Sequence, residues 1–306
     1  MNPPGHERVV ATIPVFRAPG DLPARVDALR QQVAAVVLVD DGSGSLPSPA
    51  FELPGVEQVA LEENSGIAHA LNVAVERARD LGATHVLTLD QDSTVPAGYV
   101  ARMLAALRAR AASGRPVAGA VPSSAGGAAV LRDMDDVPFD PIQSGQIIPV
   151  PVLDAVGPFA EELFIDAVDS DFWLRADALG YSFAVVDEAE IAHGLGELQP
   201  IRIFGRQLVL AGKPRHVLYH SPFRTYYMVR NSTVLNRRYA HHRPQWMRRR
   251  SRKMFEMVAG CIILAGDRRS QLRAVRAGRR DARRGVLGKI DPATLEWIMA
   301  PSRPRR

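Results

Sequence analysis

A single cysteine, Cys261, among 306 residues excludes an intrachain disulfide framework and fits a reducing compartment. Its expected role is that of a small buried apolar residue. The stretch Met1 to Glu7 lacks the cationic patch and apolar core of a secretory signal, so the expected location is the cytoplasm. After the first apolar run there is no Gly-x-Gly-x-x-Gly: Ile13-Pro14-Val15-Phe16-Arg17 continues without a glycine until Gly20, which argues against a dinucleotide-dependent oxidoreductase. Aromatic residues are not interleaved with the basic clusters as a stacking platform requires, so nucleic acid is not an expected partner. There is no internal repeat, and no low-complexity segment apart from an arginine-rich tail.

The net charge of +5 is unevenly spread. Residues 237 to 306 hold 20 Lys/Arg against 5 Asp/Glu, leaving 18 against 28 in the first 236. Within that tail, Met254 to Ala265 is an apolar run of twelve residues interrupted by Glu256 and Gly260, between Arg248-Arg249-Arg250, Arg252-Lys253 and Arg268-Arg269. It is too short to cross a bilayer, which takes about 20 apolar residues. An amphipathic helix lying on an anionic membrane at its inner face is one expectation. A helix packed on the rest of the chain, or on a second copy in a homo-oligomer, is the other.

The body reads as an α/β fold. Val9 to Val15 and Val33 to Val39 are β-branched apolar runs, and Asp21 to Gln32 between them carries Leu22, Val26 and Leu29 at helical spacing. Val56 to Leu61 adds a strand, Ile67 to Leu81 an amphipathic helix, and Val86 to Leu89 a further strand. Such alternation implies a mostly parallel sheet flanked by helices, with ligands gathered at the carboxyl ends of the strands. Asp40-Asp41-Gly42-Ser43 and Glu63-Asn64-Ser65-Gly66 fall at those ends. Pro138 to Pro151, punctuated by Gly145, suggests an irregular connection over the sheet edge.

Val86-Leu87-Thr88-Leu89-Asp90-Gln91-Asp92-Ser93 is the most pointed segment. At the carboxyl end of such a strand Asp90 and Asp92 face the same side by its period of two, and two carboxylates there repel unless a cation joins them. A hard divalent ion, Mg²⁺ or Mn²⁺, suits oxygen ligands and leaves positions for substrate phosphates. Alone, Asp-x-Asp is a weak signal, and a surface loop with two solvated acids is the alternative. A second acidic cluster, Asp166, Asp169 and Asp171, sits where a helix should begin near Asp169 and close at Gly180.

Taken in order, these motifs resemble glycosyltransferase family 2, inverting enzymes with the GT-A fold, and within it the rhamnosyltransferase-like group. The resemblance covers roughly residues 8 to 235. It rests on Ile13-Pro14-Val15-Phe16, Val39-Asp40-Asp41-Gly42-Ser43, Asn64-Ser65-Gly66-Ile67-Ala68, Leu89-Asp90-Gln91-Asp92-Ser93, the segment Gly157 to Arg175, His193-Gly194-Leu195-Gly196, and Arg224-x-Tyr226-Tyr227-x-x-Arg230-Asn231. Two departures stand out: Phe16-Arg17 replaces the usual Tyr-Asn, and Val168 stands where relatives carry Glu.

The resemblance implies a GT-A catalytic domain over 1–236, with nucleotide-binding (1–100) and acceptor-binding (101–236) halves, and a basic helical extension over 237–306. It implies a nucleotide-diphospho-sugar held by Pro14, Phe16, Arg17, Asp40, Asp41, Asn64, Gly66, Ile67, Asp90, Gln91, Arg224 and Arg230. Asp92 and His193 would hold the metal, and Asp169 would act as general base. The donor implied is dTDP-L-rhamnose and the acceptor a lipid-linked or cell-surface glycan. The alternatives are another donor such as UDP-galactofuranose, or a catalytically silent sugar-nucleotide binding protein. Read without the resemblance, His193 is a satisfied structural histidine, Asp40 and Asp41 form an Asx-turn, and Arg224 and Arg230 belong to a solvated face.

Overall fold

The computed structural model describes residues 7–301, except 115, 134–136, 195–196, 204–205, 211, 215 and 265, and leaves the side chains of 197–198, 202–203, 210 and 217 undescribed. Residues 1–6, Leu195, Gly196 and Ala265, used in the sequence reading, lie outside the described residues. The chain divides into two compact units, Met1–Phe164 with Val168–Gly194, and Ile165–Ala167 with Leu195–Arg306.

The first unit is built on β1 (Val9–Val15), α1 (Leu22–Leu29), β2 (Ala35–Asp40), β3 (Val56–Ala60), α2 (Ile67–Asp80), β4 (His85–Thr88), α3 (Tyr99–Ala112), β5 (Val117–Ala125), β6 (Ala128–Ala129), β7 (Gln146–Pro149), α4 (Val150–Val156), α5 (Val168–Ala178) and β8 (Ser182–Ile191). The sheet order is β3-β2-β1-β4-β7-β5-β6, with β8 also paired to β5. Strands β3, β2, β1 and β4 run parallel, as does the β5–β8 pair, while β7 is antiparallel to both neighbours. Every residue of β1 and of β2 is buried, as expected of parallel strands covered on both faces. Each fully buried Val or Leu there contributes about 1.5–3 kcal/mol relative to exposure. Helix α2 buries Ala68, Leu71, Ala74, Val75 and Ala78, the three-four spacing that its sequence shows.

One expectation fails. The segment Pro138 to Pro151 is not merely an irregular connection over the edge: its residues Gln146–Pro149 form β7, inserted between β4 and β5 in the middle of the sheet. Ile147 and Ile148 are buried at 0% and 1% exposure. With only four residues and a proline at its end, the strand is too short to show a period, and its identity comes from its partners.

The second unit pairs β9 (Glu197–Pro200) with β14 (His216–Tyr219), and the four two-residue strands between them, β10 (Arg202–Ile203), β11 (Arg206–Gln207), β12 (Val209–Leu210) and β13 (Lys213–Pro214), form two small hairpins. Helices α6 (Pro222–Tyr239), α7 (Pro244–Leu264), α8 (Arg268–Arg284) and α9 (Pro292–Met299) follow. The expected boundary at 236/237 falls inside α6. Ser221 caps α6 by accepting the Arg224 amide at 3.3 Å. Gly278 lets α8 lie directly on α6, since a Cβ there would be 2.6 Å from the Tyr226 carbonyl oxygen. Cys261 is buried at 1% exposure, as its chemistry suggests. No helix among the described residues is long and apolar enough to cross a membrane.

Candidate active site

The carboxyl ends of β1, β2 and β4 set out the first group of expected residues. Pro14 is buried inside β1, whereas Phe16 and Arg17 emerge exposed beyond its end. Gln91 fastens this turn with both ends of its amide, accepting from the Phe16 amide at 2.9 Å and donating to the Phe16 carbonyl at 3.1 Å. The Gln91 side chain is therefore a brace between the turns that follow β1 and β4.

Asp40 and Asp41 are likewise committed to the protein. Asp40 is 0% exposed and accepts from the Ser43 amide and hydroxyl and from the Ser45 and Leu46 amides. Burial pushes its carboxyl up, but these hydrogen bonds outweigh burial and hold it below the usual carboxylate range. Asp41 accepts the Ser65 amide at 2.6 Å and the Gly66 amide at 2.9 Å, tying the β2 turn to the entry of α2. Gly42, at φ +68°, makes this possible, because a Cβ there would lie 2.2 Å from the Glu63 carbonyl carbon. Asp40 and Asp41 thus shape the walls of the two loops, the turn that their sequence context suggests. Asn64 and Ile67 are half-buried at the mouth of α2 and Gly66 is buried.

The acidic pair is brought together differently from the sequence reading. Strand β4 ends at Thr88, and Asp90 to Ser93 form a turn in which the Ser93 amide donates to the Asp90 carbonyl at 3.0 Å. It is this turn, rather than strand alternation, that gathers the two carboxylates. Immediately afterwards Thr94 pairs with Ala192 in an antiparallel bridge, Thr94 N to Ala192 O at 2.9 Å and Ala192 N to Thr94 O at 3.0 Å. That bridge delivers His193, about a hundred residues downstream in the chain, to the turn. Its Nδ1 lies 3.3 Å from Asp92 Oδ1, 4.0 Å from Asp90 Oδ2 and 2.9 Å from the Ser93 hydroxyl. One ligand atom from each of Asp90, Asp92 and His193 falls within 4.8 Å of the others.

Partial burial pushes the Asp92 carboxyl up, but the hydrogen bond and charge of His193, the residue's own amide and Arg25 together hold it below the usual range. Gly194 leaves room for it, since a Cβ there would meet Asp92 Oδ2 at 2.5 Å. Two carboxylates and one imidazole form a donor set suited to Mn²⁺, and to Mg²⁺ with added waters, and their spacing fits such an ion.

Residues that the sequence did not single out complete this side. Gln143 donates to Asp90 Oδ1 at 2.8 Å, the Asp90 amide donates to the Ser144 hydroxyl at 3.0 Å, and that hydroxyl lies 2.7 Å from Ser93 Oγ. Buried polar residues in a proline-rich connection carry no sequence signal of this role.

Asp169 is half-buried in the first turn of α5, where its Oδ1 accepts the Ser170 amide at 2.8 Å. Ser170 in turn donates to Asp140 at 2.5 Å. Asp140 and Ser144 thus belong to one short strap that touches the neighbour of Asp169 at one end and Asp90 at the other. Four residues of chain span no more than about 14 Å. Asp171, 1% exposed, pairs with Arg175 at 2.8 Å within the helix and serves structure.

Within the second unit, Arg224 and Arg230 both meet protein partners. Arg224 reaches Asp166 at 2.5 Å. Arg230 is 0% exposed, with its guanidinium 4.7 Å from the Tyr227 ring centre and 5.5 Å from that of Tyr226, and it donates to the Gly288 carbonyl at 2.6 Å and to Asn231 Oδ1 at 2.9 Å. Asn231 then donates to the Ile165 and Asp166 carbonyls, each at 2.8 Å. Asp166 and Ala167 adopt φ of +63° and +68°, a left-handed conformation uncommon for residues with a Cβ. The Tyr-Tyr-x-x-Arg-Asn segment therefore clamps this turn, with the Arg230 guanidinium enclosed between two aromatic rings.

Comparison with known proteins agrees with this architecture. Residues 11–123 match the family model "Glycosyl transferase family 2". The chain is 27% identical over 264 residues, 80% of this chain and 84% of the relative, to the dTDP-rhamnosyl transferase RfbF of Shigella flexneri. Among solved structures it is similar to S. aureus TarS, with a TM-score of 0.55 and 16% identity over 95% of this chain, of which it spans only 54%. Against TarS 1-349 the TM-score is 0.50 with 15% identity, covering 91% of this chain and 92% of that one. These likenesses carry the fold, which is of GT-A type, and together with the family match they define a glycosyltransferase. Residues 11–123 thus match a glycosyltransferase family 2 domain, and over most of its length the chain is similar to a dTDP-rhamnosyl transferase.

Proposed function

We propose that this glycosyltransferase transfers L-rhamnose from dTDP-L-rhamnose, with inversion, to a lipid-linked or cell-surface glycan in the cytoplasm. The observation that carries the reading is the convergence of Asp90, Asp92 and His193 on one point beyond β4. The likeness to the Shigella dTDP-rhamnosyl transferase supports the donor. A divalent ion held by Asp92 and His193, with Asp90 beside them, would supply charge neutralisation to the departing diphosphate. Asp169 takes the proton of the acceptor hydroxyl as its oxygen bonds to the anomeric carbon, while the bond from that carbon to the diphosphate oxygen breaks on the opposite face. One displacement with one base inverts the centre. The strap from Asp140 to Ser144 supports a shared cleft for base and donor. Phe16, Arg17, Asn64, Gly66 and Ile67 line its nucleotide side in this reading.

A nucleotide-sugar screen checks the donor. In the presence of Mn²⁺, dTDP-L-rhamnose at about a hundred times its Kd is expected to stabilise the folded protein by about 2.7 kcal/mol, read as a rise in Tm. A larger rise with UDP-galactofuranose, or none with any nucleotide sugar, sinks the assignment of dTDP-L-rhamnose.

The same reading places the enzyme at the inner membrane face through α7. Phe255 and Ile263, 68% and 59% exposed, lie on its outer side along with the exposed Arg248, Arg249 and Arg252. Helix α8 adds Arg269, Arg276, Arg279 and Arg283, all exposed. Apolar side chains beside arginines suit a bilayer of anionic headgroups. Replacing both Phe255 and Ile263 by serine is expected to lower partition into phosphatidylglycerol vesicles about tenfold or more. Unchanged partition in a sedimentation assay removes the α7 contact.

A further inference from the structure

We propose that Gln143 is a positioning residue for Asp90, holding one carboxylate oxygen so that the other is presented to a divalent cation. The inference rests on the metal reading above. Gln143 is 9% exposed, and its Nε2 donates to Asp90 Oδ1 at 2.8 Å. The oxygen that approaches His193 is the other one, Oδ2, 4.0 Å from Nδ1. A carboxylate that can turn about its own axis offers a cation two interchangeable oxygens and no fixed direction. An amide donor on Oδ1 removes that freedom and leaves Oδ2 aimed at the cluster.

The backbone around Gln143 is itself fastened. Its carbonyl accepts the Thr88 hydroxyl at 2.5 Å, the Gly145 amide donates to the Thr88 carbonyl at 2.7 Å, and the Gly145 carbonyl accepts the Tyr99 hydroxyl at 2.6 Å. Gly145 sits at φ +85°, and a Cβ there would lie 2.8 Å from the Tyr99 oxygen, so the turn is tightly specified. Ser144 supports the same carboxylate residue from its backbone side, accepting the Asp90 amide at 3.0 Å.

A second, independent observation concerns the far end of the glutamine. Facing a carboxylate, the amide must present its nitrogen, and its Oε1 is then buried with no hydrogen-bond partner among the described residues. A buried acceptor without a donor is destabilising. An apolar residue of similar size would avoid that cost but would lose the bond to Asp90 Oδ1, so what the glutamine supplies here is its hold on Asp90.

The test is Mn²⁺ affinity of the full-length protein, measured from the electron paramagnetic resonance signal of free Mn²⁺ with dTDP present. Gln143→Leu removes the donor at similar volume, and Gln143→Asn keeps the amide but shortens its reach. Both are expected to weaken Mn²⁺ binding about tenfold or more, the usual effect of removing a hydrogen bond behind a metal ligand. The control is Gln146→Leu, a 4% exposed glutamine of the same segment that donates to the Ile142 carbonyl at 2.7 Å; its affinity is expected to match wild type. Equal affinity in wild type and both Gln143 variants overturns the inference, as does an equal loss in Gln146→Leu, which would make segment integrity the cause. If Gln143→Leu does not fold, Gln143→Asn carries the same comparison. A wild-type protein that takes up no Mn²⁺ overturns the metal reading itself, and the inference with it.

Discussion

Asp169→Asn is expected to lower release of dTDP from dTDP-L-rhamnose by about a hundred- to ten-thousand-fold, the range over which a positioned general base contributes. Donor affinity should stay close to wild type, because the substitution alters neither the β4 turn nor the walls built by Asp40 and Asp41. The local structure should also survive. The asparagine side chain keeps an oxygen for the Ser170 amide that Asp169 Oδ1 now accepts at 2.8 Å, so the first turn of α5 retains that contact. A loss of donor affinity equal to the loss of turnover would assign Asp169 to binding. Unchanged turnover would leave the transfer without this base, whereas no release of dTDP by the wild type would favour the silent-binder alternative. Asp171→Asn separates the two acids of the helix, because Asp171 is engaged by Arg175 within α5 and its removal should appear in Tm rather than in turnover.

The second large effect concerns the cation. Asp92→Ala is expected to abolish the Mn²⁺-dependent part of donor binding, so that adding EDTA, which should strip that part from wild type, changes nothing further in the variant. Asp92 is well placed for this comparison, being 46% exposed at the side chain and outside the sheet core, so little packing is lost with it. Gly194→Ala provides the same result by a different route. Its backbone does not need glycine, but the added methyl would stand 2.5 Å from Asp92 Oδ2 and displace the carboxylate while leaving its charge in the protein. Isothermal titration with dTDP, with and without Mn²⁺, reads both. Full metal dependence in Asp92→Ala would show that the ion is held elsewhere.

The clamp on the turn Ile165–Ala167 shows a structural use of the motif that its sequence does not disclose. A tyrosine-rich segment with two arginines suggests phosphate recognition, because arginine's planar fork suits phosphate oxygens. Once folded, Arg230 holds Asn231, and Asn231 holds two carbonyls of a turn with two left-handed residues. Nothing in the spacing of those residues distinguishes the two uses. The difference lies in what closes over the guanidinium, and that closure comes from Tyr226, Tyr227 and the Gly288 carbonyl.

The linear chain by itself determined the alternation of strands and helices from Val9 to Thr88, the start of α5 near Asp169, the burial of Cys261, and the placing of Asp90 and Asp92 beyond a strand end. Each is a local property: hydrophobic period, chain punctuation and the chemistry of neighbours are written within a few residues. The insertion of β7 into the middle of the sheet, the delivery of His193 by the Thr94–Ala192 bridge, the brace of Gln91 on Phe16 and the hold of Gln143 on Asp90 were decided only by tertiary structure. Each of these joins residues far apart in the chain, and the partner of a short strand or a buried amide is chosen by the folded surroundings rather than by its sequence neighbours.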